Sequence, residues 1–261
     1  MEFDPGPPAA VAEVFGRVPD YSKHRTDFWF DWGPIFYRGR LDGSARVLCV
    51  ASDPGATERI AGRTLVGDAG QRVQGFLTKL GLTRSYLCLN AFVYGMFPSH
   101  FFNASDILHE DGQRAWRNEL FDRATHVTTH LQAIVAFGSN AQIAVDLWTG
   151  KGAVPVFDVH HPSFPNEDEL LPQWRDAVDQ LRGIVTPDPD GSNAGPNYGS
   201  SFDETDYAAI PRGDLPFGVP AFLGDDQWRR TGDPPGNTSV ERLSEDILHT
   251  LVWHAPPTPE D

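Results

Sequence analysis

The sequence predicts an α/β fold: a three-layer α/β/α sandwich with a central four-stranded parallel sheet, plus a C-terminal extension docked on the body. Three observations carry this. Four short apolar runs rich in β-branched residues, at 45–51, 86–93, 132–137 and 154–159, read as buried strands. Stretches with helical spacing separate them, and strands alternating with helices make a parallel sheet covered on both faces. With 261 residues, 40% hydrophobic and 11% aromatic, the chain can bury a sizeable core, which excludes disorder of the whole.

Taken in order, residues 27–37 are dense in aromatics (Phe28, Trp29, Phe30, Trp32, Phe36, Tyr37) and run into Arg38 and Arg40. They read either as a layer packed on the sheet or as a contact to substrate. Between the first two strands, Val73, Phe76, Leu77 and Leu80 sit at helical spacing over 69–80, and Gly81 is placed to stop that helix. Further helices are expected over 113–131, 140–147 and 171–184. Residues 186–199 are rich in Pro, Asp, Gly and Asn and read as a linker or surface loop. The remainder, with Trp228 and a helix expected over 240–253, has too few periodic elements for its own core. The chain therefore divides into a body at 1–185 and an acidic extension at 186–261, which Trp228, Leu243, Ile247, Leu251 and Trp253 are expected to dock.

The formal charge of −15 is unevenly spread. From Gly183 onward 14 acids face 4 arginines, a net of −10, and the remaining 22 acids and 17 bases leave −5 on residues 1–182. The front two-thirds can therefore still present a basic face to a polyanion. Met1 to Pro5 lacks the basic start and apolar run of a signal peptide, and no segment approaches eighteen consecutive apolar residues. A cytoplasmic monomer without a membrane partner is the expectation. The two cysteines, Cys49 and Cys88, lie in apolar runs and are too few for a four-thiolate cluster or a cysteine-based zinc site.

In open parallel sheets the ligand crevice lies beyond the carboxyl ends of the strands. There the sequence places Ser52-Asp53-Pro54-Gly55, Asn90, and His160-His161-Pro162-Ser163, so an acid, an amide and an imidazole share one edge. A Gly-rich stretch, 62–70, runs into a helix and could offer backbone N–H groups to an anion. It lacks the lysine of a P-loop. His160 and His161 should point to opposite faces of an extended segment, so only one should line the site, and nothing supplies a further metal ligand beside it and Asp53 at recognisable spacing. No metal and no cofactor are expected.

These motifs, in this order, resemble those of the uracil-DNA glycosylase superfamily, and the resemblance runs from about Arg46 to Gly183. Residues 51–55 look like the first catalytic motif, with Asp53 as the water-positioning acid. Residues 58–80, with their Val-Gly-x-Ala-Gly core, are similar to the glycine-rich segment of the thermophile-type, iron–sulfur branch. Residues 87–91 resemble the classical strand that ends in the base-reading asparagine, Asn90, and His161-Pro162-Ser163 resembles the second catalytic motif. The cluster cysteines of the iron–sulfur branch are absent, so features of two branches are mixed. Gly55 stands where the classical branch has a tyrosine that blocks a 5-methyl group, and Leu65 where the other branch has an aromatic stacked on uracil. Phe92 or Phe97 could serve as that platform instead.

The resemblance implies a monofunctional, metal-free DNA glycosylase acting on uracil in single- or double-stranded DNA. Asp53 and His161 would be catalytic, and Asn90, Gly55, Leu65 and Phe92 would surround the base. Gly67, Gly70, Ser163 and Phe164 would touch DNA, with Phe164 as an apolar wedge or only a loop anchor. The alternatives are a glycosylase for another modified base and an inert DNA-binding module. Whatever the name, breaking an N-glycosidic bond develops positive charge on the sugar and negative charge on the base, which calls for a carboxylate and hydrogen-bond donors respectively.

Overall fold

A computed structural model describes residues 3–125 and 130–216, together with the backbone of Val240–Arg242 and Leu251–Trp253. Its centre is a five-stranded sheet of β1 (Tyr37–Gly39), β2 (Val47–Ala51), β3 (Tyr86–Asn90), β4 (Ala133–Phe137) and β5 (Val156–Val159), in the order β1-β3-β2-β4-β5. The four expected strands are present and mutually parallel. The fifth, β1, pairs antiparallel with β3 and corrects the expected count of four. It is only three residues long, hidden at the end of the aromatic run, and its pairing depends on a strand some fifty positions away that no local pattern reveals.

Strands β2, β3 and β4 are buried along their whole length, so their alternating side chains feed two separate cores. Val47, Cys49 and Ala51 join Val73, Phe76 and Leu77 of α3 (Asp68–Lys79) and Trp174 and Val178 of α7 (Glu167–Leu181). Leu48 and Val50 point the other way, toward Val11 and Val14 of α1 (Ala9–Phe15), Leu120 and Phe121 of α5 (Asp111–Thr125) and Val145 of α6 (Ser139–Asp146). These are the three layers. A third cluster, with Phe28, Phe92 and Met96, lies where the aromatic N-terminal segment crosses the loop after β3. The segment is thus a packing layer there, pinned by Trp29 N–H to the Gly95 carbonyl at 2.8 Å and by the Phe97 N–H to the Asp27 carbonyl at 2.9 Å. Two short helices, α2 (Ala56–Ala61) and α4 (Ala104–His109), complete the body.

The helix expected over 240–253 is overturned at both of its ends. Val240–Arg242 and Leu251–Trp253 form strands β6 and β7, paired antiparallel with Val240 opposite Trp253. The β-branched and aromatic residues at the two ends favour extended backbone over helix. Of the apolar residues expected to dock the extension, Trp228, Leu243 and Ile247, and the side chains of Leu251 and Trp253, lie outside the described residues.

The described front of the extension is held by carboxylates. Asp188 is 3% exposed and accepts the N–H groups of Thr83, Arg84 and Ser85 at 2.8, 2.9 and 3.0 Å, with Arg46 Nη1 at 3.3 Å. Asp206 meets Lys79 Nζ at 2.8 Å. Asp214 takes Tyr86 Oη at 2.6 Å and Arg38 Nη1 at 3.1 Å, both fully buried. The backbone of residue 206 runs so close to α3 that a Cβ on Gly75 would sit 1.9 Å from its carbonyl oxygen, so glycine is required there.

Candidate active site

The sheet register brings the candidate residues to one edge. Val50 is level with Leu89 on one side and Ala136 on the other, and Phe137 is level with Val159. One step on, Ala51, Asn90 and Phe137 end their strands together, and Asp53 and His161 each follow two residues beyond that row.

Asp53 is held by the loop after β3. Its Oδ2 accepts the Met96 N–H at 2.8 Å, and Ser52, itself bonded to Asn140 Nδ2 at 2.9 Å, gives a second hydrogen bond. Burial outweighs these bonds, and with Glu58 nearby the carboxyl is pushed up from 3.8 to about 6.

Asn90 is 3% exposed, and neither its Oδ1 nor its Nδ2 has a hydrogen-bond partner. A buried amide with both ends unmet costs stability unless a ligand completes it.

His161 is pushed down from 6.5 to about 4 by burial, so it is neutral above that pH. Its Nδ1 accepts the Ser163 N–H at 3.2 Å, which assigns the ring proton to Nε2 and makes that nitrogen a donor. Gly138 follows β4 with φ +84° and bonds the Val159 carbonyl, and a Cβ there would lie 2.9 Å from His161 Cβ. The imidazole can approach β4 only because residue 138 is glycine. As alternation requires, His160 turns away, its ring stacked on Phe164 at 4.0 Å.

Several other placements differ from the sequence expectations. Glu58, which sequence reasoning missed, is 8% exposed and folds back onto the Gly55 N–H at 3.0 Å while taking those of Val66 and Gly67 at 2.8 and 3.0 Å. Its acid–helix-start spacing is half of a capping box, the one signal that could have found it. The Gly67 N–H, expected for DNA phosphate, is therefore already filled by a carboxylate. Gly70 serves packing, since a Cβ would sit 1.9 Å from the Leu65 carbonyl oxygen. Leu65 itself is 6% exposed and has φ +54°, the one positive φ outside glycine among the described residues. Such backbone strain concentrates at functional sites. Phe92 is 1% exposed with its ring on Phe28 at 5.3 Å, which leaves no face for a base. Phe164 is partly buried against the core and its ring is covered by His160, while Ser163 and Gly55 are exposed.

Arg72 of α3 links this edge to the extension. Its Nη1 donates to the Pro162 carbonyl at 2.8 Å and its Nε to Tyr207 Oη at 2.9 Å, and its guanidinium carbon lies 4.2 Å from the Phe202 ring centre.

A family model of the Uracil DNA glycosylase superfamily matches residues 38–181, more than half of the chain. No curated protein matches it. The matched segment runs from within β1 through α7 and contains the loops that follow β2, β3, β4 and β5, and the chain belongs to the uracil DNA glycosylase superfamily, whose members are hydrolases that act as glycosylases on DNA.

Proposed function

We propose that the protein is a monofunctional glycosylase that removes uracil from DNA, and the observation that carries this reading is the unmet amide of Asn90. Held in one orientation, Oδ1 accepts from the N3–H of uracil and Nδ2 donates to O4; cytosine presents the reverse pattern at that edge. The target must leave the base stack to reach a buried amide.

The chemistry follows from the two remaining groups. As the C1′–N1 bond breaks, electrons pass into the base, and negative charge collects on its carbonyl oxygens. His161 Nε2–H donates to that charge, a contact typically worth ~3 kcal/mol in the transition state. A neutral imidazole suits this role because it donates without releasing a proton to the base. Ionised Asp53 offsets the positive charge on the sugar and orients a water whose oxygen bonds to C1′, with the water's proton passing to the carboxylate. An abasic site and free base result. No lysine lies in the motifs to form a Schiff base with the sugar, which supports the monofunctional reading.

Gly55 favours a second reading in which a 5-substituted uracil is the target. Residue 55 is exposed, and a Cβ there would meet only Glu58 Oε2, at 2.9 Å. The test is conversion of uracil-containing oligonucleotides, single- and double-stranded, to alkali-labile abasic sites with a chelator present. Excision of uracil supports the first reading. Excision of a 5-substituted uracil alone replaces it with the second, and DNA binding without any excision marks an inert module.

A further inference from the structure

Among the described residues three large apolar side chains are exposed, Phe101, Phe102 and Ile184, at 45%, 77% and 45%. Two of them are adjacent and sit on one 3-10 turn, Pro98–Asn103. The turn is fixed at both ends by a single buried acid: Asp27 Oδ1 accepts from His100 Nδ1 at 2.8 Å and from Asn103 Nδ2 at 3.0 Å. Two phenyl rings are thus presented to solvent on a braced segment, at a cost in hydration that nothing in their own packing explains.

A line of rings leads from them to the reacting edge. His100 lies 6.0 Å from Phe102 and 6.1 Å from Phe97; Phe97 lies 4.6 Å from Trp29, and Trp29 stacks on Trp32 at 4.5 Å. Trp32 and the Pro54 carbonyl close on Gly95 from two sides, with a Cβ there 2.9 Å from the indole and 2.7 Å from the carbonyl oxygen. Pro54 follows Asp53, and the next residue after Gly95, Met96, donates to Asp53. The aromatic track and the catalytic carboxylate therefore share one loop. From 92 to 105 the chain has no Lys, Arg, Asp or Glu, so this surface suits uncharged ring faces rather than phosphates.

We propose that Phe101 and Phe102 are a stacking platform for unpaired nucleobases beside the reacting nucleotide, by which the enzyme grips single-stranded DNA. The proposal deepens the glycosylase reading and rests on the DNA edge assigned there. In paired DNA the base faces are covered by neighbours, so the platform favours single strands. It also supplies exposed apolar rings that the His161 loop lacks, since Phe164 is covered by His160.

The test uses the full chain and undamaged oligothymidylate, with binding read by fluorescence anisotropy against a duplex of equal length. Phe102→Ala should weaken single-strand affinity about tenfold, and the double variant with Phe101→Ala further, because base–aromatic stacking is worth about that factor per base. Duplex affinity should change little. The loss should persist between ~0.05 and ~0.3 M salt, since stacking releases no counterions. Phe102→Trp should restore binding. Unchanged single-strand affinity in Phe102→Ala, whose ring is mostly in solvent and whose removal leaves the core intact, overturns the platform. So does sedimentation showing that the wild type self-associates and the variant does not, which would make this face a contact between copies. Because the probe carries no uracil, the readout is independent of excision: failure to cut uracil with this loss intact removes the proposed substrate and leaves the platform standing.

Discussion

Two aspartates in this protein meet opposite treatment. Asp188, in the extension, has three backbone N–H groups, the Ser85 hydroxyl and Arg46 around it, and these bonds hold its carboxyl down at about 2 against the penalty of burial. Asp53, at the sheet edge, has one backbone N–H and one hydroxyl, and burial drives it up to about 6. Asn90, beside it, has nothing. A carboxylate surrounded by donors is finished and holds the chain together. One left short of donors is less stable alone and is poised for a substrate, water or proton to complete it.

The largest effect expected from this contrast is at Asp53. Its folded value of about 6 lies above the ordinary 3.8, so protonation favours the fold, and ionisation through pH 6 weakens it, by about 3 kcal/mol at neutral pH. Asp53→Asn, neutral at all pH, should therefore raise the melting temperature at pH 7.5 while reducing single-turnover excision by ~100-fold or more. In the wild type, excision should rise with pH through a midpoint near 6 if Asp53 acts ionised as proposed, whereas His161 near 4 is already neutral over that range. A variant both less stable and fully active would end the distinction between the two acids.

Asp188 should behave in reverse. Its folded value of about 2 lies below 3.8, so its contribution is complete above pH 4 and is lost as pH falls through 2. Asp188→Ala leaves the Thr83, Arg84 and Ser85 N–H groups unmet, while Arg46 keeps the Thr186 and Pro187 carbonyls, and should cost about 3 kcal/mol in urea unfolding. Excision per folded molecule should stay within about twofold of wild type. An activity loss without a stability loss would place Asp188 in the chemistry.

How far the sequence revealed these sites depended on the range of the interactions involved. The four parallel strands declare themselves by continuous apolar runs, and Asn90, Asp53 and His161 by standing at or just beyond the carboxyl ends of those strands. Glu58 was missed because its partners lie eight and nine positions ahead, across a turn. Gly138 was missed because what requires glycine there is the Cβ of His161, twenty-three positions away. Strand β1 and the aspartates of the extension pair with residues some fifty to more than a hundred positions away, and no periodicity encodes such a contact. The helix expected over 240–253 failed for a different reason: a few apolar residues at helical spacing do not outweigh β-branched and aromatic ends that can pair with each other.

The smallest effect concerns Arg72, where the finished and the unfinished regions touch. The extension lies beyond the matched family segment, yet through Tyr207 and Phe202 it steadies a guanidinium that also holds the Pro162 carbonyl, one residue past His161. If that joint orients the imidazole, loosening it should slow the chemical step and leave DNA affinity alone, since the orientation of a donor matters most when charge develops in the transition state. Arg72→Met should lower single-turnover excision by about tenfold, and Tyr207→Phe, which removes only one hydrogen bond, by about threefold or less. A looser loop also lets water reach His161, so less burial raises its value from about 4 toward 6.5. The pH profile of the Arg72→Met variant should then depart from that of the wild type between pH 7 and pH 5, because the imidazole would titrate there together with Asp53. Equal pH profiles in variant and wild type, with the rate unchanged, would show that the extension is only attached to the catalytic edge and does not act on it.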